Sequence, residues 1–170
     1  VVTIPSGFNV NLNGALTVSS GSFTLNNNAN LIQSSNEANS GNIIIKRETA
    51  ALMLSDYVLW SSPVAGQQLQ PFSPATLSTR FYTYNPTTNL YNTQISPSTT
   101  NFSTGTSYLI RMPNNHPTTP TIWTGTFTGV PNNGNYNLTV ANNTYNAIGN
   151  PYPSTINANA FIAANGLTEA

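Results

Sequence analysis

The chain has 170 residues, and only eight carry a formal charge, four Lys or Arg and four Asp or Glu. An ordinary soluble domain has about a quarter charged residues. Four scattered cations in a chain of zero net charge supply neither the basic footprint that nucleic acid requires nor a polybasic membrane patch. The longest apolar runs, such as Ile43-Ile44-Ile45, are too short to cross a bilayer as a helix.

Small neutral residues replace charge: 27 Asn, 24 Thr and 17 Ser. That composition alone could describe a linker. However, 38% of residues are hydrophobic and 10% aromatic, in alternating runs, which predicts a folded chain with a buried core. There is no cysteine, so the core and the sheet hydrogen bonds must do what disulfides do in many secreted domains. Val1 follows no initiator Met or apolar leader, and the C-terminus reads as an interruption. The expectation is a piece of a longer chain.

Along residues 1–40, apolar pairs recur at Val10/Leu12, Leu16/Val18, Phe23/Leu25 and Leu31/Ile32, with Asn and Gly clusters between them. The first three pairs have the period-two spacing of a half-buried strand. Two architectures fit: a short β-solenoid, whose rungs turn at the Asn/Gly clusters, or a meander closed at Asn13-Gly14, a strong hairpin signal. The repetition favours the solenoid. A polar break over residues 34–42 marks a boundary, dividing the chain into segment 1–40 and a domain over 41–170.

Beyond the break the strands lengthen. Expected strands are Asn42–Thr49, Asp56–Ser61, Arg80–Tyr84, Leu90–Gln94 after a turn at Pro86-Thr87-Thr88-Asn89, and Thr106–Met112. A hairpin is expected from Thr121–Val130 through Pro131-Asn132-Asn133-Gly134 into Asn135–Val140. Asn157 can cap a short helix over Ala158–Ala164, with Gly166 just past its end. Turn signals about every ten residues predict an all-β fold, an antiparallel β-sandwich or jelly-roll-like domain with one short C-terminal helix.

Four strings resemble a recurrent region of large secreted proteins of Bacteroidetes (Flavobacteria). They are Leu59-Trp60-Ser61-Ser62-Pro63-Val64, Arg80-Phe81-Tyr82-Thr83-Tyr84-Asn85, Tyr108-Leu109-Ile110-Arg111-Met112-Pro113 and Phe127-Thr128-Gly129-Val130-Pro131-Asn132-Asn133-Gly134. The most specific likeness is Tyr145-Asn146-Ala147-Ile148-Gly149-Asn150-Pro151-Tyr152-Pro153-Ser154. Such proteins resemble cargo of the type IX secretion system, in the region upstream of a C-terminal sorting domain. Gly105-Thr106-Ser107 stands where the family often has Gly-Lys-Gly, and Asn157 and Asn159 stand in place of an Asp-rich cap. The resemblance implies a secreted or cell-surface protein and brings no catalytic motif.

The chemistry is sparse. Glu48 and Asp56 are the only acids near one another in a structured stretch, and they can simply balance Lys46 and Arg47. A Ser-His-Asp site would need His116 and Asp56, but His116 sits in a Pro-bounded loop that reads as exposed, and no Gly-x-Ser-x-Gly elbow exists. One His and no Cys exclude the usual zinc sets. No catalytic residue, metal or cofactor is therefore expected. Trp60 and Trp123 read as core residues, Trp123 sharing a strand face with Phe127. Thr124, Thr126 and Thr128 read as a solvated strand face.

Ligand contact falls to tyrosines. If Phe81 points inward, Tyr82 and Tyr84 point outward together, with Tyr91 across the turn. The expected function is a non-catalytic extracellular structural or adhesive module of a surface or secreted protein. Neutral β edges at residues 10–18 or 135–140 would allow self-association into a fibre, because the Lys and Glu that guard edges are nearly missing. The alternative is a carbohydrate-binding accessory region of a polysaccharide-degrading enzyme. Expected partners are other copies, other surface proteins or polysaccharide, with neither nucleic acid nor membrane insertion.

Overall fold

In the computed structural model, which describes residues 1–92 and 95–168, the first forty residues pair in parallel. Strand β1 (Val2–Ile4) lies beside β3 (Phe23–Leu25), which lies beside β5 (Ile43–Glu48). Strand β2 (Asn9–Leu12) lies beside β4 (Asn30–Gln33). The partners Val2↔Phe23, Asn9↔Asn30, Leu25↔Ile45 and Thr17↔Ser40 show the chain returning over itself after 20–23 residues. Apolar pairs six to eight residues apart are thus successive sides of one coil.

The hairpin expected at Asn13-Gly14 does not form. Instead Ala15 N–H donates to Glu37 Oε2 at 3.1 Å and Leu16 N–H to Asn39 Oδ1 at 2.7 Å, both from the next coil. Nor do Leu31 and Ile32 act as a pair: Leu31 is buried, whereas Ile32 is 42% exposed, because neighbours in a strand face opposite ways. The coil corner at Gly41 needs glycine, having φ +81° and a position where a Cβ would lie 2.0 Å from Val18 O.

Strand β5 belongs to both halves of the sequence. Its far edge pairs antiparallel with a long strand, Thr124–Pro131, from Ile43↔Gly129 to Glu48↔Thr124. That strand pairs in turn with Val64–Ala65. Numbering the remaining strands in chain order makes Tyr57–Trp60 β6, Val64–Ala65 β7, Phe81–Asn85 β8, Leu90–Asn92 β9, Tyr108–Arg111 β10 and Thr124–Pro131 β11. One mixed sheet, β1-β3-β5-β11-β7, therefore runs across residue 40. A second, antiparallel sheet has the order β6-β10-β8-β9. Thr93 and Gln94, expected to extend β9, lie outside the described residues.

The two sheets meet through aromatic rings. Trp60 on β6 is buried, with its ring 6.0 Å from Phe127 and 5.7 Å from Trp123 on the β11 side. Phe72, on the one-turn helix α1 (Leu69–Phe72), stacks on Phe127 at 4.4 Å and meets Phe102 edge-on at 5.3 Å. Neither α1 nor β7 was expected from the sequence. Thr124, Thr126 and Thr128 point away from this core and are exposed, as their alternation predicts. Helix α2 (Ala158–Ala164) is capped as expected, Asn157 Oδ1 accepting from Ala160 N–H at 3.0 Å.

Residues 135–140 are a correction: they form no strand, so neither the expected hairpin nor that β edge exists. Val130 and Pro131, at the end of β11, pair with β7 instead. Asn133 Nδ2 donates to Ser35 O and Glu37 O, each at 2.8 Å, and pulls the turn toward the coils.

Residues 145–155 are a strap between the coils and the antiparallel sheet. At one end Ser107 N–H donates to Ala147 O at 3.1 Å and Gly149 N–H to Gly105 O at 2.8 Å. At the other, Leu31 N–H donates to Pro153 O at 2.9 Å and Thr155 N–H to Asn30 Oδ1 at 3.1 Å. Arg47 reinforces the join, its guanidinium donating to Asn26 O, Lys46 O, Ala29 O and Pro153 O at 2.8–3.4 Å. Burial pulls its pKa down, and one of the four cations is thereby occupied with carbonyls. The most specific string of the sequence is therefore architectural.

Tyr152 in the strap donates its hydroxyl to Gly134 O at 2.8 Å. Burial, and secondarily Tyr136, raise its pKa above the ordinary tyrosine value. Above about pH 10 the unfolded chain loses this proton while the folded one retains it, so stability falls as pH rises. Tyr152→Phe is expected to flatten part of that fall, measured as the change in urea midpoint between about pH 8 and about pH 11. An unchanged fall would rule this source out.

Candidate functional site

The outer face of the antiparallel sheet carries the side chains best placed to meet a ligand. Alternation sends Val58, Trp60, Phe81, Tyr108 and Ile110 into the core and their neighbours outward. Register then sorts the outward residues into rows. The first row runs Tyr57–Arg111–Arg80, where Arg80, in the 3₁₀ turn Ser78–Arg80, directly precedes β8 and continues the Ile110↔Phe81 pairing. The second runs Leu59–Leu109–Tyr82. The third ends in Tyr84↔Tyr91, while its other end, Ser61 and Ser107, lies beneath Gly149 of the strap.

All three tyrosines expected from the sequence therefore share one face. Tyr82 and Tyr84 are half-buried, and Tyr91 is 44% exposed. The structure adds Tyr57, Leu59 (51% exposed), Leu109, Arg80 and Arg111. Reaching these from sequence would have required the order β6-β10-β8-β9, which joins strands far apart in the chain. The rings are not coplanar: Tyr84 meets Tyr91 at 65° and Tyr57 meets Tyr82 at 63°, with centroids 5.5 and 5.8 Å apart. Edge-to-face pairs of this kind leave a ridged surface rather than a flat one.

Polar contacts fix the rings. Arg80 Nη1 donates to the Tyr82 hydroxyl at 3.2 Å, and the Tyr84 hydroxyl donates to Asn89 Oδ1 at 2.5 Å. The Arg80 bond pulls the Tyr82 pKa below its ordinary value, helped by Tyr57 and by the charges of Arg80 and Arg111. Tyr57 moves the other way, raised first by burial and then by its bond to Tyr82. Arg80 is raised by its own bond to the Tyr82 hydroxyl. Arg111 donates Nη2 to Asn114 Oδ1. Arg80 Nε and Arg111 Nε are buried and have no partner among the described residues.

The residues weighed for catalysis lie in separate bonds. Glu48 Oε2 accepts from Asn27 Nδ2 at 2.9 Å, and Asp56 Oδ2 accepts from Met53 N–H at 2.8 Å. His116 corrects its expectation: it is buried, with Nε2 2.9 Å from Leu52 O, because its loop folds back toward residue 52. Among the described residues no three His, Asp or Glu side chains gather as metal ligands, and no helix is long and apolar enough to cross a membrane.

These elements define an all-β protein with a coiled parallel lead-in, a two-sheet aromatic core and an outward row of tyrosine, leucine and arginine. The chain belongs to the family described as a domain of unknown function, DUF8693, which matches residues 1–169. No curated protein and no solved structure matches it.

Proposed function

We propose that this chain is a non-catalytic, extracellular structural or adhesive module that attaches to its target through the outer face of β6-β10-β8-β9. The observation that carries this reading is the clustering on that face of Tyr57, Leu59, Tyr82, Tyr84, Tyr91 and Leu109, three of them more than a third exposed. Contiguous exposed apolar and aromatic surface marks interaction sites. Tyr and Arg are also the residues enriched where binding energy concentrates. The carbohydrate-binding reading draws on the same tyrosines, because sugar faces pack on aromatic rings while hydroxyl and guanidinium groups bond the rim.

Self-association draws on a different place, the outer side of β1 and β2. Parallel pairing leaves Thr3, Asn9 and Asn11 with backbone groups facing away from β3 and β4, with Val2 and Phe8 exposed beside them. The opposite side of the coils is bonded to β11 and the strap, so this edge is the side of the coils open to pairing with another chain.

Adsorption to insoluble polysaccharide and to protein-coated beads tests the proposal. Wild type is expected to adsorb, and a Leu59→Ser, Tyr91→Ser chain to lose at least about tenfold of it, a hot-spot-sized effect. Equal adsorption by both chains, or release of new sugar reducing ends, would refute the reading.

A further inference from the structure

We infer that the ligand of this face is an anionic polysaccharide, whose carboxylate or sulfate groups are held between Arg80 and Arg111; the inference rests on the attachment proposed above. Half of the chain's Lys and Arg residues lie together on this face, Arg80 in the turn that leads into β8 and Arg111 at the end of β10, both acting on Tyr57 and Tyr82. Like charges held near one another repel. In a chain with so few charges, that arrangement calls for a counterion.

The protein does not provide one. Among the described residues no carboxylate bonds to either guanidinium: Arg80 bonds to a tyrosine hydroxyl and Arg111 to an asparagine amide. The nearest acid in sequence, Asp56, is held by Met53 N–H. Each Nε is buried without a partner among the described residues, so the protein leaves neither guanidinium fully satisfied. Charge-assisted bonds from arginine to a carboxylate or sulfate are about twice as strong as neutral ones.

Tyr82 joins the two charges to the apolar part of the face. Its hydroxyl accepts from Arg80, both guanidinium groups act on it, and its ring continues the row Leu59–Leu109–Tyr82. A ligand must therefore combine an apolar flank with a repeated oxyanion. A polymer of acidic sugars has both: the CH face of the ring lies on leucine and tyrosine, and its charged substituent reaches the arginine row. A neutral glycan would leave the arginine pair uncompensated, and a small inorganic anion would leave the apolar row in water.

The test is calorimetric titration of the whole chain with polygalacturonate, sulfated dextran and unsubstituted dextran at low salt. Because the chain has zero net charge, a charged polymer has no general ion-exchange attraction to exploit. One or both anionic polymers are expected to bind and dextran not to, with affinity falling as salt rises. An Arg80→Gln, Arg111→Gln chain is expected to lose about tenfold or more in affinity. Equal binding of dextran, anionic binding unchanged by the double substitution, or no binding to any of the three would overturn the inference. Adsorption to protein-coated beads in the last case would leave the attachment reading standing. Should the double variant fail to fold, the wild-type contrast between sulfated and plain dextran decides alone.

Discussion

Replacing Phe127 by alanine is expected to lower the stability of the chain by about 3–5 kcal/mol, a large part of the 5–15 kcal/mol typical of a folded protein. Phe127 is 1% exposed and stands where both sheets meet. Its ring stacks on Phe72 at 4.4 Å and has Phe102 and Trp60 at 5.7 and 6.0 Å. Phe72 rides on a helix of one turn, too short to be stable alone, so α1 depends on the burial of Leu69 and Phe72 in this cluster. Truncation should therefore open a cavity and remove the stacking partner of Phe72. The measurement is the urea midpoint, with far-ultraviolet circular dichroism confirming that the sheets persist. A loss below about 1 kcal/mol would show that the core closes over the gap and that this account of it is wrong.

Gly149→Ala is expected to cost about 2–4 kcal/mol, an unusual sum for one added methyl group. A Cβ at this position would lie 2.3 Å from both Cβ and Oγ of Ser61 and 2.9 Å from Ser107 Oγ. The strap would have to lift, breaking the bonds from Gly149 N–H to Gly105 O and from Ser107 N–H to Ala147 O. Ser61→Gly in the same chain removes the two closest atoms and should recover most of the loss. A double-mutant cycle in urea reads this directly. No recovery would mean that the strap is not seated on Ser61 as described.

Much of this architecture is legible in the sequence because period-two alternation reports which way a side chain points. It put Phe81 inside and Tyr82 and Tyr84 outside, seated Trp60 in the core, and left the threonines of β11 in solvent. The helix cap was equally legible, since Asn157 bonds within its own first turn. Alternation does not report what an extended segment pairs with. Tyr136, Leu138 and Val140 alternate as a strand would, yet residues 135–140 join no ladder, and β7 takes the pairing at Val130 and Pro131, next to the expected turn. The alternative hairpin at Asn13-Gly14 gives way to parallel partners about twenty residues on, which local turn chemistry does not report. His116 was read from its prolines, while its burial is set by Leu52, far off in sequence. The arginine row is the clearest limit. Arg80 and Arg111 become neighbours only through the β8–β10 register, which no local pattern encodes.

The strap also has a consequence in time. Leu31 lies in the second coil, but the carbonyl that satisfies its N–H belongs to Pro153. The coils can wind early, since each closes a loop of about twenty residues, whereas the strap closes one several times longer. During synthesis, at about 5–20 residues per second, β4 therefore stands with an open edge for several seconds before its cover emerges. With almost no charge to repel a neighbour, that interval is when nascent chains are most exposed to pairing with one another. The rate at which the last part of the chain arrives thus becomes a determinant of yield.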